Sequence, residues 1–305
     1  MNLLALDFGG SSVKCAVVAE EGVQVLEHFF VSSQADSYIE WLETFMPHFK
    51  RVNDSYGIDG IAISSCGAVD AESSVIHGSS ALDYIHGQDI RALYQAYFAV
   101  PVEIENDANC AALAESWLGA GKGIDSFCLV VIGTGIGGAV VSNKHVLPGH
   151  QLHAGEFGFS VLDYKNGKPQ IFGHLASTNA LVEQAAKALG ISQTKLNGIH
   201  VFELYDAGNP VIIRVVDAWS RYLALGLYNI QYHLDPQKIV LGGAISQRHD
   251  LVDQIESQLD DILSNLPFAN VRPTVVQSMF GNDANLIGAV RHFLNRRTIV
   301  NKVNS

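Results

Sequence analysis

Asn106 and Asp107 stand where a strand-like run, VPVEIEN, gives way to an Ala-rich helical one, DANCAALAESWLGAG. A helix N-terminus favours an ionised carboxylate. There Asp107 can accept a proton from a hydroxyl as it attacks phosphorus, while Asn106 aligns that hydroxyl. Both residues also suit a plain N-cap. A second carboxylate, Asp7, ends a strand pattern in DFGGSSVK and is followed by Gly9, Gly10, Ser11, Ser12 and Lys14. Glycines let the backbone approach a phosphate, and successive N–H groups form an anion nest. The serines can donate to phosphate oxygens, Lys14 adds positive charge, and Asp7 suits a hydrated Mg2+, which takes one or two carboxylates plus waters. Without a ligand, the same stretch reads as a hairpin with a Gly-Ser turn.

Three further stretches carry chemistry. IGTGIGGAV, Ile132 to Val140, holds Thr134, Gly135 and Gly137 in a second glycine turn. A strand follows it rather than a helix, which removes the dinucleotide-binding reading. Two such turns from opposite halves of a chain can clamp the two ends of a polyphosphate. VLGGAIS puts Gly242 and Gly243 at the C-terminal edge of a strand, where α/β folds commonly meet a ligand, here an adenosine moiety. HAGEF sets Glu156 on a Gly-flanked loop, where a carboxylate can accept two neighbouring sugar hydroxyls or stand in solvent. His150 and His153 have no cysteine nearby to complete a structural zinc set.

The elements that position these residues follow from periodicity. LLALDF (3–8), VKCAVVA (13–19) and VQVLEHFFV (23–31) predict an antiparallel meander. Ile39, Leu42, Phe45, Met46 and Phe49 recur at helical spacing. IDGIAISS predicts a buried strand and QDIRALYQAYF a helix. The pattern restarts at SFCLVVIGTGIGGAVVSNKHVL, again strand, glycine turn, strand and a short third strand. Residues 148–175, with five glycines and two prolines, read as loop. Helices follow in STNALVEQAAKAL and NPVIIRVVDAWSRYLALGLYNIQYHL, then strand KIVLGGAI, helix LVDQIESQLDDILSNL, strand RPTVVQS and a terminal helix in NDANLIGAVRHFLNR. Trp219, Tyr222, Leu225, Leu227 and Tyr228 form a face suited to core or oligomer contact. Two similar α/β halves leave a cleft between them, where ligands usually sit.

Composition narrows the function classes. With 305 residues, 48% of them hydrophobic, the chain can bury two modest cores. A net charge of −12, from 19 basic and 31 acidic residues, opposes a nucleic-acid partner. There is no apolar run of about 18 residues and no basic leader, so neither a membrane span nor a signal peptide is expected. Cys15, Cys66, Cys110 and Cys128 form no CxxC and sit in apolar or Ala-rich surroundings, the usage of reduced thiols in a cytoplasmic protein.

Taken in order, LALDFGGSSVK, SSCGAVD, IENDANCAALAE, VVIGTGIGGAVV, HAGEFGF, LASTNAL, IVLGGAIS and GNDANLIGAV resemble the ROK family (repressor, open reading frame, kinase) from about Leu3 to Arg291. The resemblance implies an α/β, actin-like ATPase fold of two RNase-H-like domains with a cleft between them. Residues 1–117 with 285–305 would form the lobe that serves sugar and Mg-ATP, and 118–284 the nucleotide and sugar-loop lobe. It implies ATP- and Mg2+-dependent transfer of the γ-phosphate to a hexose hydroxyl, most often O6, by a homodimer. It assigns Asp107 as general base and Asn106, Gly67 and Glu156 to the sugar. Asp7, Gly9, Gly10, Ser11 and Lys14 fall to Mg2+ and phosphate, Thr134, Gly135 and Gly137 to phosphate from the other lobe, and Gly242 and Gly243 to adenosine. The first strand begins at Leu3, with no helix-turn-helix ahead of it, which disfavours a repressor.

The departures concern the sugar loop. The family's zinc-ligating and sugar-contacting histidine is Phe159 here, and NGKPQIFGH replaces its cysteine-rich run, so zinc is not expected. A second sugar-binding glutamate is missing near Gly173, and the first sugar loop differs around Ser79–Leu82. Hydrogen bonds to charged groups contribute about 1.5–3 kcal/mol each, so a pocket without them should discriminate less at C1 and C2. A 6-kinase that accepts glucose or β-glucosides is expected, with Phe159 offering an apolar or stacking surface. N-acetylmannosamine as substrate, or a non-catalytic sugar sensor, are the alternatives.

Overall fold

Each glycine-turn hairpin founds one five-stranded sheet. The structure, a computed structural model, describes residues 1–19, 24–80 and 82–303, with side chains through 298. Val23, at the start of the third strand pattern, lies outside the described residues. The chain divides into two units, one of Met1–Leu118, Pro148–His153 and Asp283 onward, the other of Gly119–Leu147 and Ala154–Asn282.

In the first unit β1 (Asn2–Phe8), β2 (Ser12–Ala19) and β3 (Gln24–Ser32) form the expected antiparallel meander. Helix α1 (Tyr38–Tyr56) is capped by Ser37, whose side chain accepts from Glu40 N–H, and stops at Gly57. It buries Tyr38, Trp41, Leu42, Phe45, Phe49 and Val52, while Ile39 turns outward at 42% exposure. Strand β4 (Gly60–Ser65) then pairs parallel to β1. A small hairpin, β5 (Ala68–Asp70) and β6 (Val75–His77), and helix α2 (Ile90–Phe98) lead to β7 (Val102–Asn106), parallel to β4, and helix α3 (Asp107–Leu118). The sheet order is β3-β2-β1-β4-β7.

Strand alternation divides the core into two layers. Leu4 and Leu6 pack with residues of α1 and α2, whereas Leu3 and Ala5 pack with Cys110 of α3 and with Leu286, Ala289, Val290 and Phe293 of the C-terminal helix, here called α9 (Ala284–Val303). Asp7 is the next residue on the Leu3–Ala5 side. α3 and α9 approach closely at Gly288, where a Cβ would stand 1.6 Å from the Cys110 carbonyl oxygen.

The second unit repeats the scheme. β8 (Phe127–Ile132), β9 (Ile136–Ser142) and β10 (His145–Val146) run antiparallel. The region read as loop instead forms a hairpin and a short helix. β11 (Val161–Lys165) pairs with β12 (Lys168–Ile171), and a short helix α4 (Phe172–Ala176) follows. Asn166 and Gly167 both take positive φ, 52° and 73°, the backbone that a two-residue Asn-Gly hairpin turn needs. Next come α5 (Thr178–Leu189), α6 (Gly198–Asp206), α7 (Pro210–Leu234), β13 (Lys238–Gly242), α8 (Leu251–Ser264) and β14 (Val275–Gln277). The sheet order, β10-β9-β8-β13-β14, has the same succession of antiparallel and parallel pairings as the first. Trp219 and Leu227 of the expected α7 face are core residues. α6 has no counterpart in the sequence reading, because its nine residues bury only Val201 and Phe202. All four cysteines are free, and no described helix is long and apolar enough to cross a membrane.

Alanine normally stabilises a helix relative to glycine by about 1 kcal/mol. At Gly288 the contact with α3 reverses the sign: Gly288→Ala should destabilise by about 1–3 kcal/mol. Chemical denaturation checks it, and a stabilised variant would contradict the tight α3–α9 approach.

Candidate functional site

The first unit gathers polar side chains along the ends of three parallel strands. Asp7 at the end of β1 stands in register with Ser64 of β4 and, across the hairpin, with Lys14 of β2. Ser64 Oγ donates to Asp7 Oδ1 at 2.8 Å, and Asn285 Nδ2, from the first turn of α9, donates to the same oxygen at 3.1 Å. Burial pushes the Asp7 carboxyl above the usual carboxylate range, against the opposing pull of those two hydrogen bonds and of Lys14. The turn beside it is tight, with Gly9 N–H donating to Ser12 O at 3.1 Å and Gly10 O accepting from Gln34 Nε2 at 3.1 Å. Ser11 is exposed on that turn.

Asn106 and Asp107 occupy the junction of β7 and α3. Asn106 Nδ2 donates to Gly67 O at 3.0 Å, and its Oδ1 accepts from Asn109 N–H at 3.1 Å. Asn106 therefore caps α3 and grips the Gly67 turn, keeping one N–H and one lone-pair site for a ligand. Gly67 sits at φ 96° with Ile76 close behind, so a Cβ there would meet Ile76 Cγ2 at 2.8 Å. Asp107 Oδ1 accepts from Ala108 N–H at 2.8 Å at the helix start. Beneath this junction lies Glu105, whose Oε1 accepts from Asn106 N–H at 2.7 Å and Asn109 Nδ2 at 3.0 Å. Its Oε2 is 3.6 Å from His292 Nδ1 of α9. Burial raises the Glu105 carboxyl and lowers the His292 imidazole to about 4, with Arg296 and Arg91 adding to the latter shift. Cys66, partly exposed, is pushed up by burial and by the charges of Asp107 and Asp7, against a hydrogen bond with Ser80.

In the second unit the β8–β9 turn closes through Gly133 N–H to Gly135 O at 3.0 Å. It is docked on α5 by Thr178 N–H to Gly133 O at 2.9 Å, which leaves Thr134 and Gly135 exposed. Gly133 and Thr134 line a cavity of about 1120 Å3. Its walls include Val182 of α5, Leu196, Ile199 and Phe202 on and before α6, and Ile245 after β13. A cavity of this size, with apolar walls and polar groups among its lining, suits a nucleoside. Gly242 ends β13, Gly243 follows it, and the cavity lining begins at the next residue, Ala244. Gly137 lies within β9, paired with Val131, away from that lining.

Glu156 begins a single 3-10 turn, Phe157–Phe159, closed by Phe159 N–H to Glu156 O at 3.2 Å. The turn lies flat on β9, so that a Cβ at Gly158 would stand 2.2 Å from Ile136 O. Residues three apart eclipse in 3-10 geometry. Glu156 is exposed, as is Phe159 at 68%, while Phe157 packs inward against Gly138. The β11–β12 hairpin returns the chain to this loop, with Phe172 N–H donating to Ser160 O at 2.8 Å and Gly173 abutting Gly158. His153 bonds its Nδ1 to Gln151 O, and His150 and His153 are both exposed. Among the described residues, no three His, Cys, Asp or Glu side chains cluster as a metal site. Ser64, Glu105, Asn285 and His292 escaped the sequence reading. None was singled out as a site residue, although SSCGAVD contains Ser64, IENDANCAALAE contains Glu105 and GNDANLIGAV contains Asn285.

A profile of the ROK family matches residues 3–296. A β-glucoside kinase from Listeria innocua is 31% identical over 300 residues, spanning 96% of this chain and 98% of its own. A glucokinase from Halalkalibacterium halodurans is 26% identical over 315 residues, spanning 93% of this chain and 92% of its own. The crystal structure of a ROK family protein from Streptococcus pneumoniae TIGR4, in complex with sucrose, superposes with a TM-score of 0.88 at 32% identity over 98% of this chain and 99% of that one. The actin-like ATPase fold expected from the sequence is the fold of this chain.

His292 supplies a pH test of the packing beneath Asp107. Its imidazole titrates near 4 in the folded protein and near 6.5 unfolded, so the unfolded chain binds more protons between those values. Stability from this group is present above about pH 6.5 and is lost as pH falls toward 4. Relative to the unaltered protein, His292→Gln should gain up to about 3 kcal/mol as pH falls from 6.5 to 4. Denaturation midpoints across that range check it, and parallel curves would contradict a buried neutral imidazole.

Proposed function

The chain belongs to the ROK family and is a sugar kinase, and we propose that it moves the γ-phosphate of ATP to O6 of a glucose unit with Asp107 as general base. The observation that carries this is Asp107 at the first turn of α3, beside an Asn106 locked to the Gly67 turn. In the proposed reaction Asp107 takes the hydroxyl proton as the O6–phosphorus bond forms. The bond from the γ-phosphorus to the bridging oxygen breaks, and ADP leaves. The helix N-terminus keeps the Asp107 carboxylate ionised for that role. Asn106 retains one donor and one acceptor position for the sugar.

The donor reading rests on the second unit. The cavity with its apolar walls fits adenosine, and Thr134 with the Gly133–Gly135 turn along its lining offers backbone and hydroxyl donors to phosphates. Gly242 and Gly243 would support the adenosine side from just outside the lining. Asp7 fits a Mg2+ role held through water: it is a desolvated carboxylate with two neutral donors and one facing lysine, short of positive charge. Mg2+ is bound by one or two carboxylates together with phosphates, and when bound it neutralises charge on them. Gly9, Gly10, Ser11 and Lys14 would attend the same phosphates.

For the acceptor we propose a β-glucoside, with Gly67, Asn106 and Glu156 serving the glucose unit. Phe159 stands on the same turn as Glu156 and would present an apolar face to a substituent at C1. The Listeria innocua relative and the sucrose-bound neighbour support a substituent there. Plain glucose is the second reading, favoured by the glucokinase relative.

Two measurements test this. Asp107→Asn should keep its thermal midpoint and lose at least about 100-fold in kcat, the scale of general-base loss. Turnover near that of the unaltered protein would remove Asp107 from the mechanism. For the acceptor, kcat/KM for cellobiose should exceed that for glucose. A strong preference for free glucose would sink the β-glucoside reading while leaving the kinase intact.

A further inference from the structure

α6 forms one wall of the large cavity through Ile199, Phe202, Glu203 and Asp206, yet it has little of its own to hold it there. It is nine residues long and buries only two side chains. Helices this short are not stable by themselves in water. Val201 and Phe202 seat it on the core, and Arg248, from the segment after β13, ties its outer side down. The backbone of that segment is fixed to β14, where Gln277 Nε2 donates to Ser246 O and to Arg248 O, each at 2.8 Å. From this anchored backbone the guanidinium lies over the Phe202 ring, 4.4 Å from its centroid, and 5.4 Å from that of Tyr205. It donates to both oxygens of Asp206, at 3.1 and 2.5 Å, and to Asp250 Oδ2 at 2.9 Å. The side chain is only 13% exposed and itself lines the cavity.

We propose that Arg248 is a positioning residue for the phosphoryl donor, clamping α6 over the nucleotide cavity and cancelling the negative charge that Asp206 would otherwise present to it. The proposal rests on the reading of that cavity as the ATP site. Stacking and a forked ion pair from one planar group are within reach of arginine and not of lysine. Without the guanidinium, α6 keeps Val201 and Phe202 as buried anchors but loses its tie to the segment after β13, and Asp206 joins Glu203 in facing a polyanionic ligand without that counter-charge. The cost should fall on binding of the donor rather than of the sugar.

The test uses the full chain. ATP affinity without sugar is measured by titration calorimetry, and KM for ATP and for the sugar by steady-state kinetics, for the unaltered protein, Arg248→Ala and Arg248→Lys. Arg248→Ala should weaken ATP binding and raise KM for ATP by at least about 10-fold, with KM for the sugar moving less than about two-fold. Arg248→Lys keeps the charge but loses the stack and the fork, and should still weaken ATP by about three-fold or more. It carries the test alone if the alanine variant does not fold. ATP binding within about two-fold of the unaltered protein in the folded variants overturns the proposal, as does a sugar KM that rises in step with that for ATP. Failure of the unaltered protein to bind ATP would overturn the donor reading and this proposal together.

Discussion

The parallel register of β1, β4 and β7 is the constraint on which the first unit's chemistry depends. Asp7 pairs with Ser64 and Ser64 with Glu105, while Phe8 pairs with Ser65 and Ser65 with Asn106. One row across the sheet thus carries Asp7, Ser64 and Glu105, and the next row delivers Asn106 to the start of α3. A slip of one residue would send each side chain to the opposite face. Asp7 would then leave the α9 side, where Asn285 meets it, and enter the aromatic layer under α1. The apolar alternation of LLALDF and GIAISS therefore fixes the polar ends as surely as it fixes the core.

The second unit repeats the sheet but ends its strands differently. Where the first unit offers carboxylates, amides and hydroxyls, the second offers glycines and the main chain around Gly133 and Gly243. That contrast fits the proposed division of labour. A hydroxyl acceptor is recognised and deprotonated by side chains, whereas phosphates are well served by backbone N–H groups that carry no charge to desolvate.

Most of the framework was legible in the sequence because it is local. The meander, the Gly-turn restart and the helix beginning at Asp107 all follow from periodicity and turn residues within a few positions. The β11–β12 hairpin was missed although Asn166–Gly167 is a strong turn signal, because its largely exposed strands lack the apolar alternation that marks a buried one. α6 escaped because it buries only two side chains. The long-range partners were beyond reach: Asn285 meets Asp7 across 278 positions, and Arg248 meets Asp206 across 42. Motif order suggested the family, yet a pairing of this kind depends on how the elements pack, which no single stretch of sequence carries.

The carboxylates of the first unit have an effect beyond proton transfer. Burial first, and then the charges of Asp107 and Asp7, raise the pKa of Cys66, the one cysteine partly open to solvent, and the same causes act on buried Cys110. A thiol reacts with peroxides and electrophiles as the thiolate. Held protonated by its partial burial and, to a smaller degree, by its anionic neighbours, Cys66 is a poor nucleophile. The charge proposed to activate a sugar hydroxyl would therefore add to the burial that keeps this thiol in its less reactive, protonated form.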